Sequence, residues 1–172
     1  MKEVPWFERK LVFEKPKEML PYYLERLRGT PLRIKEKVNT LPENLLSTQF
    51  NNKWSVKQNI GHLADVDEIA LKRLDEMINS ISPMSPAVFE PREDYNAMPV
   101  NELLDHFAST RRKNIERYSQ LNADQLAMPS LHPRLKVLMT PVDLAWFDAE
   151  HDDHHLVKIH EIIFTFIQTK AT

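Results

Sequence analysis

The sequence predicts an all-α fold: four long helices packed as a bundle in one domain spanning residues 1–172. Three observations carry that expectation. Apolar residues recur at helical spacing in four separate stretches. Only 2 Gly are present, whereas hairpins, phosphate-binding loops and dinucleotide-binding turns all depend on glycine. The 12 Pro fall mostly between the periodic stretches, where they mark boundaries.

From residue 17 to 40 the series Met19, Leu20, Tyr23, Leu24, Leu27, Leu32, Ile34 and Val38 keeps a helical period, interrupted at Gly29 and Pro31. It predicts one long kinked helix or two short ones. Residues 41–53 are polar, contain Pro42 and read as a loop. Ser55 to Gln58 spells Ser-x-x-Gln, a capping box that satisfies the first free N–H groups of a helix, so the second helix begins there and runs to about residue 79. Residues 80–99 hold Pro83, Pro86, Pro91 and Pro99, too many for a regular element, and form a long loop. Leu103, Leu104, Phe107, Ile115, Tyr118 and Leu121 define the third helix, with Arg111, Arg112 and Lys113 as its solvated basic face. After a second loop at 122–139, Thr140-Pro141-Val142-Asp143 supplies a cap, a proline suited to the first helical position and an acid at the positive helix end. The fourth helix then continues to about residue 167.

Composition narrows the chemistry. With 23 Lys and Arg against 25 Asp and Glu, no field of one sign favours nucleic acid or an anionic membrane as partner. No apolar run approaches the ~20 residues of a membrane span. Residues 1–13 lack the apolar core of a signal peptide, which leads to an expected cytoplasmic location. Cysteine is absent, so a metal ion would be held by imidazole and carboxylate alone.

His151, His154, His155 and His160 fall within ten residues of the fourth helix. Residues four apart project from one helix face, which suits His151 and His155 to a single ion. The spacing alone is weak, because random placement of the histidines would give roughly 0.3 such pairs. The plainer reading is a pair of surface histidines favoured by the helix dipole. Against it, His151 follows Ala145, Trp146, Phe147 and Ala149 in an apolar stretch. A third ligand from another helix would close a bundle site, and His62, flanked by Ile60, Gly61, Leu63 and Ala64, is the candidate. Gly61 would permit close helix approach. A lone histidine on an apolar face is more often a satisfied core residue, and that reading stays open on spacing alone.

Trp54-Ser55-Val56-Lys57-Gln58, His62-Leu63-Ala64-Asp65, His132-Pro133-Arg134-Leu135, Thr140-Pro141 and Glu150-His151-Asp152-Asp153-His154-His155 together form a pattern. It resembles the DinB-like family, including the YfiT-like metal-dependent hydrolases, over about residues 20–166. The resemblance implies an up-down-down-up four-helix bundle with a long crossover loop. It implies one divalent ion, zinc or nickel, on His62, His151 and His155, and a homodimer. One departure stands out: relatives often carry a glycine after the His-Pro segment, where this chain has Lys136 and Val137.

The resemblance further implies a mononuclear metal-dependent enzyme. Its reaction would be thiol S-transfer with a low-molecular-weight thiol of the bacillithiol or mycothiol type as co-substrate, or hydrolysis of a small electrophile. Three neutral imidazoles leave such an ion its positive charge and an open position, which suits both reactions. The alternative is a non-catalytic module, metal-stapled or metal-free, serving binding or dimerisation. Asp65, Glu150, Asp152 and His154 are candidates to orient a ligand ring, although solvated carboxylates are commoner. Trp54, Trp146 and Phe147 read as packing residues, and Tyr95 in the proline-rich loop as a residue within reach of the site.

Overall fold

The computed structural model describes residues 4–87 and 90–170. Residues 1–3 and 171–172 of the expected domain, and Val88 and Phe89 of the expected loop, lie outside the described residues. Four long helices dominate: α1 (Leu20–Val38), α3 (Val56–Ile78), α4 (Val100–Ser119) and α6 (Pro141–Lys170). Between them stand the short α2 (Glu43–Ser47) and α5 (Ala123–Leu126), and a ribbon pairing β1 (Ser130–Leu131) with β2 (Leu138–Met139).

Helix directions follow from which ends share a core. One cluster joins Ile34 and Val38 late in α1, Ile60 and Leu63 early in α3, Leu103 and Phe107 early in α4, and Ile159 and Ile162 late in α6. The other joins Leu20 and Tyr23, Leu74, Tyr118, Val142 and Ala145, from the opposite ends of the same helices. Hence α1 and α6 run one way and α3 and α4 the other, the up-down-down-up order. Each of α1 and α3 packs on both α4 and α6, so like-directed neighbours α3 and α4 need a connection that travels the bundle's full length. That is why residues 79–99 are long. The loop retraces α3: Ser85 N donates to Glu76 (2.7 Å), Arg92 to Glu68 (2.7 Å), and Lys57 Nζ to Met98 O (2.6 Å).

Both signalled helix starts form as expected. Gln58 N donates to Ser55 Oγ (3.1 Å) while Ser55 N donates to Gln58 Oε1 (2.9 Å). Asp143 N donates to Thr140 Oγ1 (3.2 Å) and Thr140 N to Asp143 Oδ2 (3.0 Å). The structure decides or corrects the reading in four places. First, of one long helix or two short ones it forms one, α1 running through Gly29 and Pro31. Proline at 31 removes the N–H that would bond Leu27 O, and Arg111 Nη1 donates to that carbonyl instead (2.9 Å). Second, Arg111 is therefore no surface residue: 2% exposed, it links Asp67 of α3 (2.8 Å) and Asp152 of α6 (2.5 Å), while Arg112 and Lys113 do face solvent. Third, the expected loop 41–53 contains α2, because Leu45 and Leu46 fold inward to close the end of the bundle. Fourth, the expected loop 122–139 contains α5 and the ribbon, α5 being started by an Asn122/Gln125 capping box.

Candidate metal centre

His62 lies two turns into α3, and His151 and His155 lie one turn apart near the middle of α6, where that helix packs against α3. A ligand nitrogen from each of the three falls within 4.8 Å of the others, and His151 Nε2 stands 3.2 Å from His155 Nε2. An ion about 2 Å from each nitrogen requires nitrogens some ~3.3 Å apart in a tetrahedral arrangement, so the pair is already at ligand spacing. His62 is 6% and His155 5% exposed.

Hydrogen bonding sets one tautomer. Asn59 Nδ2 donates to Ser55 O (2.7 Å), which turns Asn59 Oδ1 toward His155 Nδ1 (2.8 Å). His155 therefore keeps its proton on Nδ1 and presents a lone pair at Nε2, facing His151. His62 Nδ1 and His151 Nδ1 are buried without a hydrogen-bonding partner among the described residues. Burial lowers the His62 pKa to about 4 and those of His151 and His155 well below the ordinary value, with the neighbouring histidines adding to the effect. Three uncharged imidazoles, one ligand nitrogen of each within 4.8 Å of the others, fit a divalent cation. Trp54 buttresses the group, its ring 4.8 Å from His62 and stacked 6.1 Å from His155. Trp6 meets His151 edge-on at 5.2 Å.

The other anticipated residues have partners of their own, and His154 also lines the cavity over the triad. Asp65 accepts from Tyr95 Oη (2.7 Å) and pins the crossover loop to α3. The Tyr95 ring fills the space over Gly61, where an added Cβ would come within 2.2 Å of it. The small residue thus admits a loop tyrosine rather than a neighbouring helix. Glu150 and Asp153 bind Arg26 (2.8 and 2.6 Å), and Asp152 binds Arg111. His154 Nδ1 lies 3.4 Å from Arg9 Nη2. Asn59 was not singled out by sequence, although its position one turn before His62 and four residues after the cap places it beside any ligand on that face.

A cavity of about 1230 Å³ opens over the triad. Trp54, Phe147 and Leu135 form apolar walls, and the segment from Trp6 to Phe13 crosses one side. Trp54 and Phe147 thus both pack and face the cavity, while Trp146 packs against Phe13 (5.4 Å). A site built to staple helices would be closed over; this one is reached from a chamber wide enough for an organic molecule.

The model of the DinB superfamily matches residues 26–159, most of the chain. The chain belongs to this superfamily. A curated protein of Oceanobacillus iheyensis, provisionally named as a metal-dependent hydrolase, is 26% identical over 145 residues, covering 80% of this chain and 81% of that one. Among solved structures, YfiT from Bacillus subtilis, described as "a probable metal-dependent hydrolase with an unusual four-helix bundle topology", superposes with a TM-score of 0.79. It is 19% identical, with 92% of this chain and 93% of that chain covered. The mycothiol-dependent maleylpyruvate isomerase superposes with a TM-score of 0.67 at 11% identity, covering 87% of this chain and 63% of that one. At these identities the two structures establish the shared fold. No helix among the described residues is long and apolar enough to cross a membrane.

Proposed function

We propose that the protein is a mononuclear metal-dependent enzyme acting on a small electrophile, with zinc or nickel on His62, His151 and His155. The observation that carries this reading is an uncharged three-histidine cluster at the floor of an open, largely apolar cavity. A divalent ion held there would supply Lewis acidity, lowering the pKa of a water or thiol toward neutrality. The chain's own residues do the rest. Asn59 fixes the His155 tautomer, Trp54 holds two of the rings in place, and Trp6 and Phe147 exclude bulk water.

Thiol S-transfer is preferred to plain hydrolysis. An apolar chamber of this size favours an organic thiol and an electrophile over water as the pair to be brought together. The thiol-dependent isomerase that shares the fold supports the same choice. A cytoplasmic location supplies such thiols, and a homodimer is the expected assembly. The test is consumption of bacillithiol, mycothiol or coenzyme A against chloro-aromatic and epoxide acceptors, with metal fully loaded. Metal-dependent loss of free thiol that disappears in His151→Ala supports the transferase. Turnover of ester or amide substrates without thiol consumption places the chain among hydrolases, and no turnover in either panel favours a metal-stapled binding module.

A further inference from the structure

The cavity extends from the triad along the groove between α3 and α6 to a second set of polar side chains that the proposed chemistry does not use. Arg73 follows His62 by eleven residues, three helical turns, and so returns to the same face of α3. Asp148 precedes His151 by one turn on α6. Both are 4% exposed and both line the cavity. Arg73 Nη2 and Asp148 Oδ2 are buried without a hydrogen-bonding partner among the described residues. Arg73 is not loosely placed: its Nε donates to Ser85 O (2.9 Å), so the crossover loop fixes the guanidinium plane.

His132, from the ribbon, completes the group. It is 5% exposed, lines the cavity, and its Nδ1 accepts from the backbone N–H of Arg134 (3.3 Å) and Leu135 (3.1 Å). Its proton therefore sits on Nε2, which makes that atom a donor. Burial pushes the Asp148 carboxyl up to about 8 against the opposing pull of Arg73, which favours the protonated, donating form near neutral pH. Burial, with Arg73 and Arg134 adding to it, lowers the His132 pKa to about 4, which keeps that ring neutral. A guanidinium and two neutral donors lining one cavity match the two oxygens of a planar anion.

We propose that Arg73, Asp148 and His132 form a carboxylate-binding subsite, which takes the acidic end of a small apolar-bodied molecule whose other end reaches the triad. The assignment of that molecule as substrate rests on the metal-dependent function proposed above; binding of the carboxylate itself does not. The triad and the subsite thereby select acids long enough to reach from one to the other, and the cavity's aromatic walls contact what lies between.

The test is calorimetric titration of the untagged full chain with 4-phenylbutanoate and with the matching neutral amide, 4-phenylbutanamide, both metal-loaded and chelator-treated. Wild type is expected to bind the acid on the order of tenfold tighter than the amide. Arg73→Met should erase that preference, Arg73→Lys should keep part of it, and Asp148→Asn, which retains a donor, should keep most of it. Far-UV circular dichroism establishes that each variant is folded, and Arg73→Lys carries the test if Arg73→Met is not. Equal binding of acid and amide by wild type, or a preference untouched by both Arg73 variants, overturns the subsite. So does displacement of the acid by inorganic phosphate at equal concentration, which would indicate a general oxyanion site. A preference that survives chelation and His62→Ala upholds the subsite even if the triad proves to hold no metal. Metal bound with no preference for the acid sinks the subsite and leaves the triad reading intact.

Discussion

At His155 a single hydrogen bond decides which nitrogen is free. Asn59 has its own amide fixed by Ser55 O, so it accepts the Nδ1 proton and leaves Nε2 bare beside His151. Asn59→Ala should therefore weaken metal binding by ~10–100-fold without unfolding the chain, read by competition against a chromophoric chelator. Unchanged affinity would mean that Asn59 merely packs. The same burial that keeps these rings neutral has a cost in acid. His62, His132, His151, His154 and His155 all have lowered pKa values, chiefly by desolvation. In the unfolded chain they take up protons near 6.5, while folded His62 and His132 resist until about 4. Between those values the unfolded state is the more protonated, at about 1.4 kcal/mol per group per pH unit, so stability falls as pH drops. Asp65, Asp67 and Asp148 are raised and oppose the trend, but they number three against five. Chelated protein should show a lower denaturation midpoint at pH 5 than at pH 7; an equal or higher one would contradict the burial of neutral imidazoles. The histidines themselves were legible in the sequence, since His-x-x-x-His on a helix and His62 after a capping box are local patterns. Asn59, Arg73 and Asp148 were not, because their meaning comes from what the fold sets beside them: His155 against Asn59, the crossover-loop carbonyl of Ser85 against Arg73, and the cavity that Asp148 lines.

Among the elements, α1 shows how a local rule yields to tertiary structure. Pro31 breaks a helix by freeing a carbonyl, and here that carbonyl belongs to Leu27 and is met by Arg111, which also joins Asp67 and Asp152. One guanidinium thus ties all four long helices together. Arg111→Met should destabilise the protein by about 3–5 kcal/mol, since it strands two buried carboxylates and a carbonyl. A denaturant midpoint within error of wild type would show that the hub is dispensable. Nothing in the run Arg111-Arg112-Lys113 distinguishes its first member by composition; only its place on the helix face, one turn after Phe107, marks it as inward. The ribbon offers a second case. Lys136 adopts φ 56, the left-handed region in which glycine is unstrained. Lys136→Gly should raise stability by about 1 kcal/mol, seen as a higher Tm, and a lowered Tm would mean that the lysine side chain outweighs the backbone strain.

For the whole molecule, the order of helices follows from two core clusters at opposite ends, and the long crossover is the consequence of placing α3 and α4 side by side in the same direction. Helical periodicity made the four helices legible, but their directions are a matter of which ends meet, and these came only through the family resemblance. The segment from Trp6 to Phe13 was illegible for a different reason. It has no period of its own and gains its shape by laying Trp6 and Phe13 against Phe147, at 5.3 and 6.3 Å, across the cavity. Fold, neutral triad and open chamber together support the proposal made above, a divalent ion on three histidines. The direct test is elemental mass spectrometry of untagged protein prepared without chelator, alongside His62→Ala and His151→Ala. One zinc or nickel ion per wild-type chain, lost in both variants, is the expected result; a wild-type chain that takes up neither ion after reloading would contradict it.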